Sequence, residues 1–143
     1  MKTIGLVACS STKQPGFHRA ADLYTSPLFR LSRTWVERNC PDGWYILSAK
    51  HHLLHPSDNV CSYDRTLRDL TAAERSAWGC TVTRELQALM PCHFIVFAGH
   101  LYRNALNDLP HAAPLQGLGI GRQLQWLKRA CAQLPAPATA IKN

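Results

Sequence analysis

Acidic side chains are scarce in this sequence: nine Asp and Glu stand against sixteen Lys and Arg. Other things are missing altogether. No stretch reaches the roughly eighteen apolar residues in a row that a membrane span requires. The apolar start Ile4–Cys9 is too short for the core of a secretion signal and runs into polar residues where a cleavage site would stand. These absences exclude a membrane partner and predict a cytoplasmic protein. Six cysteines are present (Cys9, Cys40, Cys61, Cys80, Cys92 and Cys131), yet none forms a Cys-x-x-Cys pair and their intervals are wide and irregular. That spacing argues against a structural zinc site, and in a cytosolic chain it argues against disulfides, so most of the thiols read as small hydrophobes. Internal repeats, low-complexity segments and domain boundaries are also lacking. A single domain is therefore expected over residues 1–134, followed by a flexible Pro- and Ala-rich tail over 135–143.

What is there fits an ordinary globular interior. Apolar residues make up 46% and charged residues 17% of the chain. At 143 residues, roughly two thirds of the unfolded surface should be buried on folding. The shortage of acids leaves a net charge of +7 and an isoelectric point near 9.4. Such a surface favours polyanions, nucleic acid first and anionic nucleotides second, with DNA expected before RNA. The sequence leaves the oligomeric state open.

Local patterns set out the order of elements. Thr3–Ala8 is a short apolar run ending in Cys-Ser-Ser-Thr-Lys, as a buried strand does when it reaches a loop. Ser26 and Pro27 form the N-cap and first position of a helix whose apolar stripe is Leu28, Leu31, Trp35 and Val36. Trp44–Leu47 reads as a second strand, and 49–70 shows no clean period. A capping box at Thr71–Glu74 starts a helix with Trp78, Val82, Leu86 and Leu89 on its core face. His93–Ala98 is the strongest strand. A shorter helix starts at Gly99–Tyr102, an extended piece lies near Ala112–Leu115, and a last amphipathic helix follows Gly117–Gly121. Strands alternating with helices predict an α/β fold: one three-layer domain with a short, mainly parallel central sheet flanked by helices.

Open parallel sheets bind ligands beyond the carboxyl ends of their strands. Four groups of residues should meet there: Cys9, Ser10, Ser11, Thr12 and Lys13; Ser48, Lys50, His51 and His52; Gly99, His100, Tyr102 and Arg103; and Gly117, Gly119, Gly121 and Arg122. The glycine run is either a tight turn for close packing or a helix start whose free N–H groups hold a phosphate. It lacks the Lys-Ser/Thr ending of a Walker loop and does not follow the first strand, which argues against ATP hydrolysis and dinucleotide binding. His51, His52 and His55 complete no standard zinc pattern, so neither metal nor organic cofactor is expected. Asp22, Asp58 and Asp64 are the acids expected at this edge. Asp64 either activates water or stabilises a sugar cation, or else it pairs with Arg65 or Arg68. Tyr24, Tyr63 and Tyr102 fall in the same loops, where tyrosine stacks on unpaired bases or packs into the core.

Six stretches, in order across most of the chain, carry a resemblance: Leu6–Lys13, Leu23–Phe29, Tyr45–Leu54, Tyr63–Leu67, Ala98–Tyr102 and Gly117–Gly121. In them the sequence resembles the small uncharacterised domain family related to the peroxide-stress protein YaaA. More distantly it is similar to uracil-DNA-glycosylase-like domains and to the enzymes of tRNA archaeosine synthesis. His52 stands where such relatives more often carry glycine, and Cys61-Ser62 departs from their acidic or proline-bearing versions. The resemblance implies a setting near DNA damage or base modification.

The expectation is a metal-independent DNA glycosylase-type enzyme that hydrolyses the N-glycosidic bond of a modified base, in repair or anti-phage defence. The base enters by flipping. Asp64 acts on water or the sugar cation, and His51 or His100 polarises the departing base. Tyr24, Tyr63 or Tyr102 sandwiches the base, while Lys13, Arg122 and the glycine run hold phosphates. The alternatives are a non-enzymatic DNA-binding stress protein and a nucleotide or tRNA-base transferase.

Overall fold

The computed structural model describes residues 1–133, so the tail expected over 135–143 lies outside the described residues. In chain order the elements are β1 (Lys2–Ala8), β2 (Phe17–Arg19), α1 (Ala20–Leu23), α2 (Pro27–Asn39), β3 (Trp44–Ser48), β4 (His52–Leu54), β5 (Asn59–Cys61), a 3₁₀ turn (Leu67–Asp69), α3 (Ala72–Gln87), β6 (Cys92–Phe97), α4 (His100–Ala105) and α5 (Ile120–Gln133). The main sheet runs β4-β3-β1-β6. β1 is parallel to both β3 and β6, and β4 returns antiparallel on β3. The expected α/β architecture is present, with the first strand at the centre of the sheet.

Alternation along β1 separates two cores, because successive side chains in a strand point to opposite faces. Ile4 and Leu6 join Leu47, Phe94 and Val96 against Trp78, Val82 and Leu86 of α3. Val7 joins Ile46 and Phe97 against Phe29 and Val36 of α2 and Leu127 of α5. Helices therefore cover both faces. Gly5 lets α2 settle directly on the sheet: a Cβ there would stand 2.6 Å from Val36 Cγ1. Across the other core, a Cβ at Gly79 of α3 would collide with the Ala105 carbonyl of α4.

Both expected helix starts are made as the side chains predict. Ser26 Oγ accepts a hydrogen bond from Phe29 N at 3.2 Å, and Thr71 and Glu74 bond each other's backbone N–H groups. The aperiodic stretch 49–70 contains structure of its own. Residues 49–51 close a hairpin in which Ser48 pairs with His52, and His52 takes φ 63°. A left-handed residue is needed to turn the chain here, a conformation that glycine adopts most readily and that His52 supplies. β5 pairs antiparallel with β2, forming a second sheet of two strands. The extended piece near Ala112 lies beside β6, with Val96 N donating to Ala112 O at 2.8 Å and Ala112 N donating to Phe94 O at 2.9 Å. Cys40 and Cys92 are buried as expected, whereas Cys61 and Cys80 are exposed. Among the described residues, no helix is long and apolar enough to cross a membrane.

Candidate functional site

Because β1 lies between β3 and β6, the loops that follow the three parallel strands emerge side by side. A cavity of about 440 Å³ opens beyond the ends of β1 and β6. Val7, Phe29, Phe97 and Leu115 give it apolar walls. Its polar groups come from separate segments: Cys9 and Ser10 after β1, Ser26 and Ser32 of α2, Arg68 of the 3₁₀ turn, His100 and Tyr102 of α4, and Gln123 of α5. Exposure grades along it, with Arg68 and His100 open to solvent, Ser10 and Ser26 half-buried, and Ser32 only 1% exposed. A mostly apolar pocket of several hundred Å³ with a few convergent polar groups has the character of a small-molecule site.

Beside the cavity, hydroxyl groups tie the loops together. Tyr24 Oη and Tyr63 Oη are 2.6 Å apart, and Tyr63 Oη lies 2.8 Å from Ser48 Oγ. Ser48 Oγ also accepts from His51 N at 3.0 Å, and the Ser48 carbonyl accepts from Trp78 Nε1 at 2.9 Å. Ser48 is fully buried, so each of these bonds satisfies a group that would be costly to leave unpaired. The Lys13 ammonium stands 4.5 Å and the Lys50 ammonium 5.9 Å from the centre of the Tyr63 ring, and His51 meets that ring edge-on at 5.4 Å. Burial, then the charges of Lys50 and His52, holds the His51 imidazole below its ordinary pKa.

On the cavity wall Cys9 Sγ lies 3.1 Å from Tyr102 Oη, and the Tyr102 ring meets Trp78 edge-on at 5.5 Å. Burial first, and the nearby Cys9 second, raises the phenols of Tyr24, Tyr63 and Tyr102 well above the ordinary tyrosine range. All three are neutral hydroxyls at physiological pH, suited to donating hydrogen bonds and unsuited to acting as bases.

The expected site residues divide into three groups. Cys9, Ser10, Gly99, His100 and Tyr102 line the cavity. Lys13, Tyr24, Ser48, Lys50, His51 and Tyr63 form the neighbouring cluster just described. Tyr24 is a core residue with its ring 5.0 Å from Phe29, so it has no free face for a base. The remainder lie apart. Ser11 is exposed, and Arg103 turns its Nε to the Ala98 carbonyl at 3.1 Å. Gly119 and Gly121 flank the start of α5 with open space around them. Arg122 belongs to a different hollow, of about 400 Å³, which it shares with Trp126 and Arg129. One position on the helix separates it from Gln123, and about 100° of rotation sends the two to different faces.

Asp64 is exposed and does not line the cavity, and among the described residues it pairs with neither Arg65 nor Arg68. Asp22 is not a site acid: it lies in α1 and bonds Arg33 at 2.9 Å, which also bonds Glu37 at 3.1 Å. Asp58 closes a turn by accepting from His55 N at 2.9 Å. Ser26, Ser32, Arg68 and Gln123 are cavity residues that the sequence pattern passed over. Ser26 was visible only as a helix cap, and the other three carry no local signal.

Residues 4–129 match the Family of unknown function (DUF6884). The "Uncharacterized protein YfjM" of Bacillus subtilis (strain 168) is 33% identical over 149 residues, an alignment covering 91% of this chain and 95% of that protein. No solved structure matches the chain.

Proposed function

The chain belongs to the DUF6884 family, whose function is unknown, and from its site we propose that the cavity receives a base flipped out of DNA and that the protein hydrolyses the base's N-glycosidic bond. The observation that carries this reading is the cavity of about 440 Å³ at the carboxyl ends of β1 and β6: apolar walls for a ring, few polar groups, and a chain with net charge +7 around it. The resemblance to YaaA-related and, distantly, uracil-DNA-glycosylase-like domains supports the same assignment. A modified base is the substrate class, and repair or anti-phage defence is the setting.

In the reaction the C1′–N bond breaks, water oxygen bonds to C1′, and the base leaves with a proton. His100, on the cavity and open to solvent, is assigned the proton or hydrogen bond to the departing base. Asp64, exposed and among the described residues free of arginine partners, is assigned the attacking water or the sugar cation. Tyr102 lines the base's path, and Arg68 and Lys13 meet phosphates. His51 and Tyr63, locked together beside the cavity, position the loops.

A second reading has its own support. Among the described residues no carboxylate lines the cavity, as expected of a protein that binds a base or nucleotide without cleaving it. The two readings part on duplexes carrying normal, hydroxymethylated and glucosylated cytosines, incubated with the wild type, Asp64→Asn and His100→Gln. Abasic sites are read by alkaline strand cleavage. Cleavage by the wild type that falls about a hundredfold or more in a variant supports the glycosylase. Binding without cleavage on every duplex selects the binding protein.

A further inference from the structure

Ser32 is an unusual residue for the interior. It sits in α2 between Phe29 and Val36, is 1% exposed, and lines the cavity. The only other buried serine among the described residues is Ser48, whose hydroxyl lies within bonding distance of Tyr63 Oη and accepts from His51 N. Ser32 has no such partners: among the described residues its hydroxyl makes no hydrogen bond. It does not take the usual escape of a helical hydroxyl either, unlike Thr34 on the same helix, which donates to the Arg30 carbonyl at 3.1 Å.

No buried side-chain polar atom among the described residues is left without a partner, so the unbonded Ser32 hydroxyl is one that the cavity still reaches, and a ligand that seals it there has to satisfy it. The apolar walls of the cavity, Phe29, Val7 and Leu115, have no polar side-chain atoms to offer. The polar groups that face solvent, Arg68 and His100, stand at the open end. The pocket is thus graded in exposure, with Arg68 and His100 open to solvent, Ser10, Ser26, Tyr102 and Gln123 half-buried, and Ser32 the most enclosed of its polar side chains. A ligand that fits this gradient is a planar ring carrying a hydrogen-bonding substituent on its far edge and an anionic group on its near side, in other words a nucleotide entering base first.

We infer that Ser32 is the base-reading residue of this cavity, selecting rings whose far edge carries an exocyclic oxygen or amine over rings of the same shape that lack one. The inference rests on the nucleobase reading of the cavity and adds to it the orientation of the ligand and the residue that discriminates. A hydroxyl both donates and accepts, so Ser32 by itself admits a carbonyl or an amino group; what it rejects is a bare C–H edge, which would leave it buried and unpaired.

The test is binding of free deoxynucleoside 5′-monophosphates, measured by calorimetry on the intact chain. Deoxycytidine and deoxyuridine monophosphates are compared with the pyrimidin-2-one nucleotide, which lacks the 4-substituent. Deoxyadenosine monophosphate is compared with the purine nucleotide lacking the 6-amino group. Each measurement is repeated for Ser32→Ala and for Ser32→Thr, which keeps a hydroxyl. The wild type should prefer the substituted ring by about tenfold. Ser32→Ala should bring the two together by weakening the substituted ring alone, and Ser32→Thr should keep a preference. A uniform loss on both rings, or an unchanged preference in Ser32→Ala, overturns the role of Ser32 and leaves the nucleotide site standing. If the wild type binds none of these nucleotides, the base-binding cavity and its reader fall together.

Discussion

His51 and His52 are neighbours in sequence with separate tasks. His52 supplies the left-handed turn that brings β4 back along β3. His51 lays its ring against Tyr63, and burial together with the Lys50 and His52 charges depresses its pKa. Below the ordinary histidine value of 6.5 the unfolded chain takes up a proton at His51 that the folded chain resists. Stability from this residue is therefore complete above that value and is lost as pH falls from it toward the lower folded pKa. His51→Gln, which cannot titrate, should show a shallower loss of stability than the wild type over this interval. Urea midpoints at a series of pH values from about 7.5 to about 5 test this. Parallel curves for the two proteins would refute the depressed pKa of His51.

Elements whose ends are marked by side-chain chemistry were legible in the sequence. Ser26-Pro27 and Thr71–Glu74 announce α2 and α3, and the apolar runs announce β1, β3 and β6. β2, β4 and β5 were not legible, because three residues are too few to display a period; β2 and β5 are specified by each other across the chain, and β4 by the tight turn that returns it on β3. The site divides in the same way. Cys9, Ser10, Gly99, His100 and Tyr102 follow from the sheet-edge rule, which acts locally at strand ends. Ser32, Arg68 and Gln123 come to the cavity by tertiary packing, and nothing in α2, the 3₁₀ turn or α5 distinguishes them locally.

Packing between elements also makes a prediction. Gly79 admits the α4 backbone, so Gly79→Ala should destabilise the fold by about 1–3 kcal/mol, since a backbone carbonyl cannot rotate aside as a side chain can. Gly121→Ala, in the first turn of α5 with nothing within 4 Å, should leave stability unchanged or raise it by up to about 1 kcal/mol. Equal effects in denaturant melts would refute the close α3–α4 approach.

For the molecule as a whole, the charge of +7 describes no particular face until its contacts are located. The proposed site places DNA at the carboxyl edge, where Arg68 stands, and leaves Arg129 on the separate hollow of α5. Duplex affinity should fall steeply as salt rises. Arg68→Ala should lower the log–log slope by about one, while Arg129→Ala should leave it unchanged. The reverse result would move the nucleic-acid face from the sheet edge to α5.

The central place of β1 bears on how the protein is made. Its neighbour on one side, β3, ends at Ser48, but its neighbour on the other side, β6, does not begin until Cys92. On a ribosome adding about 5–20 residues each second, one edge of β1 waits on the order of 2–10 s for its partner. During that interval an apolar strand with unpaired backbone groups is open to any other nascent chain nearby. Translation that stalls between β3 and β6 should therefore leave a species prone to aggregate, and the pace of synthesis through α3 becomes part of what the gene has to specify.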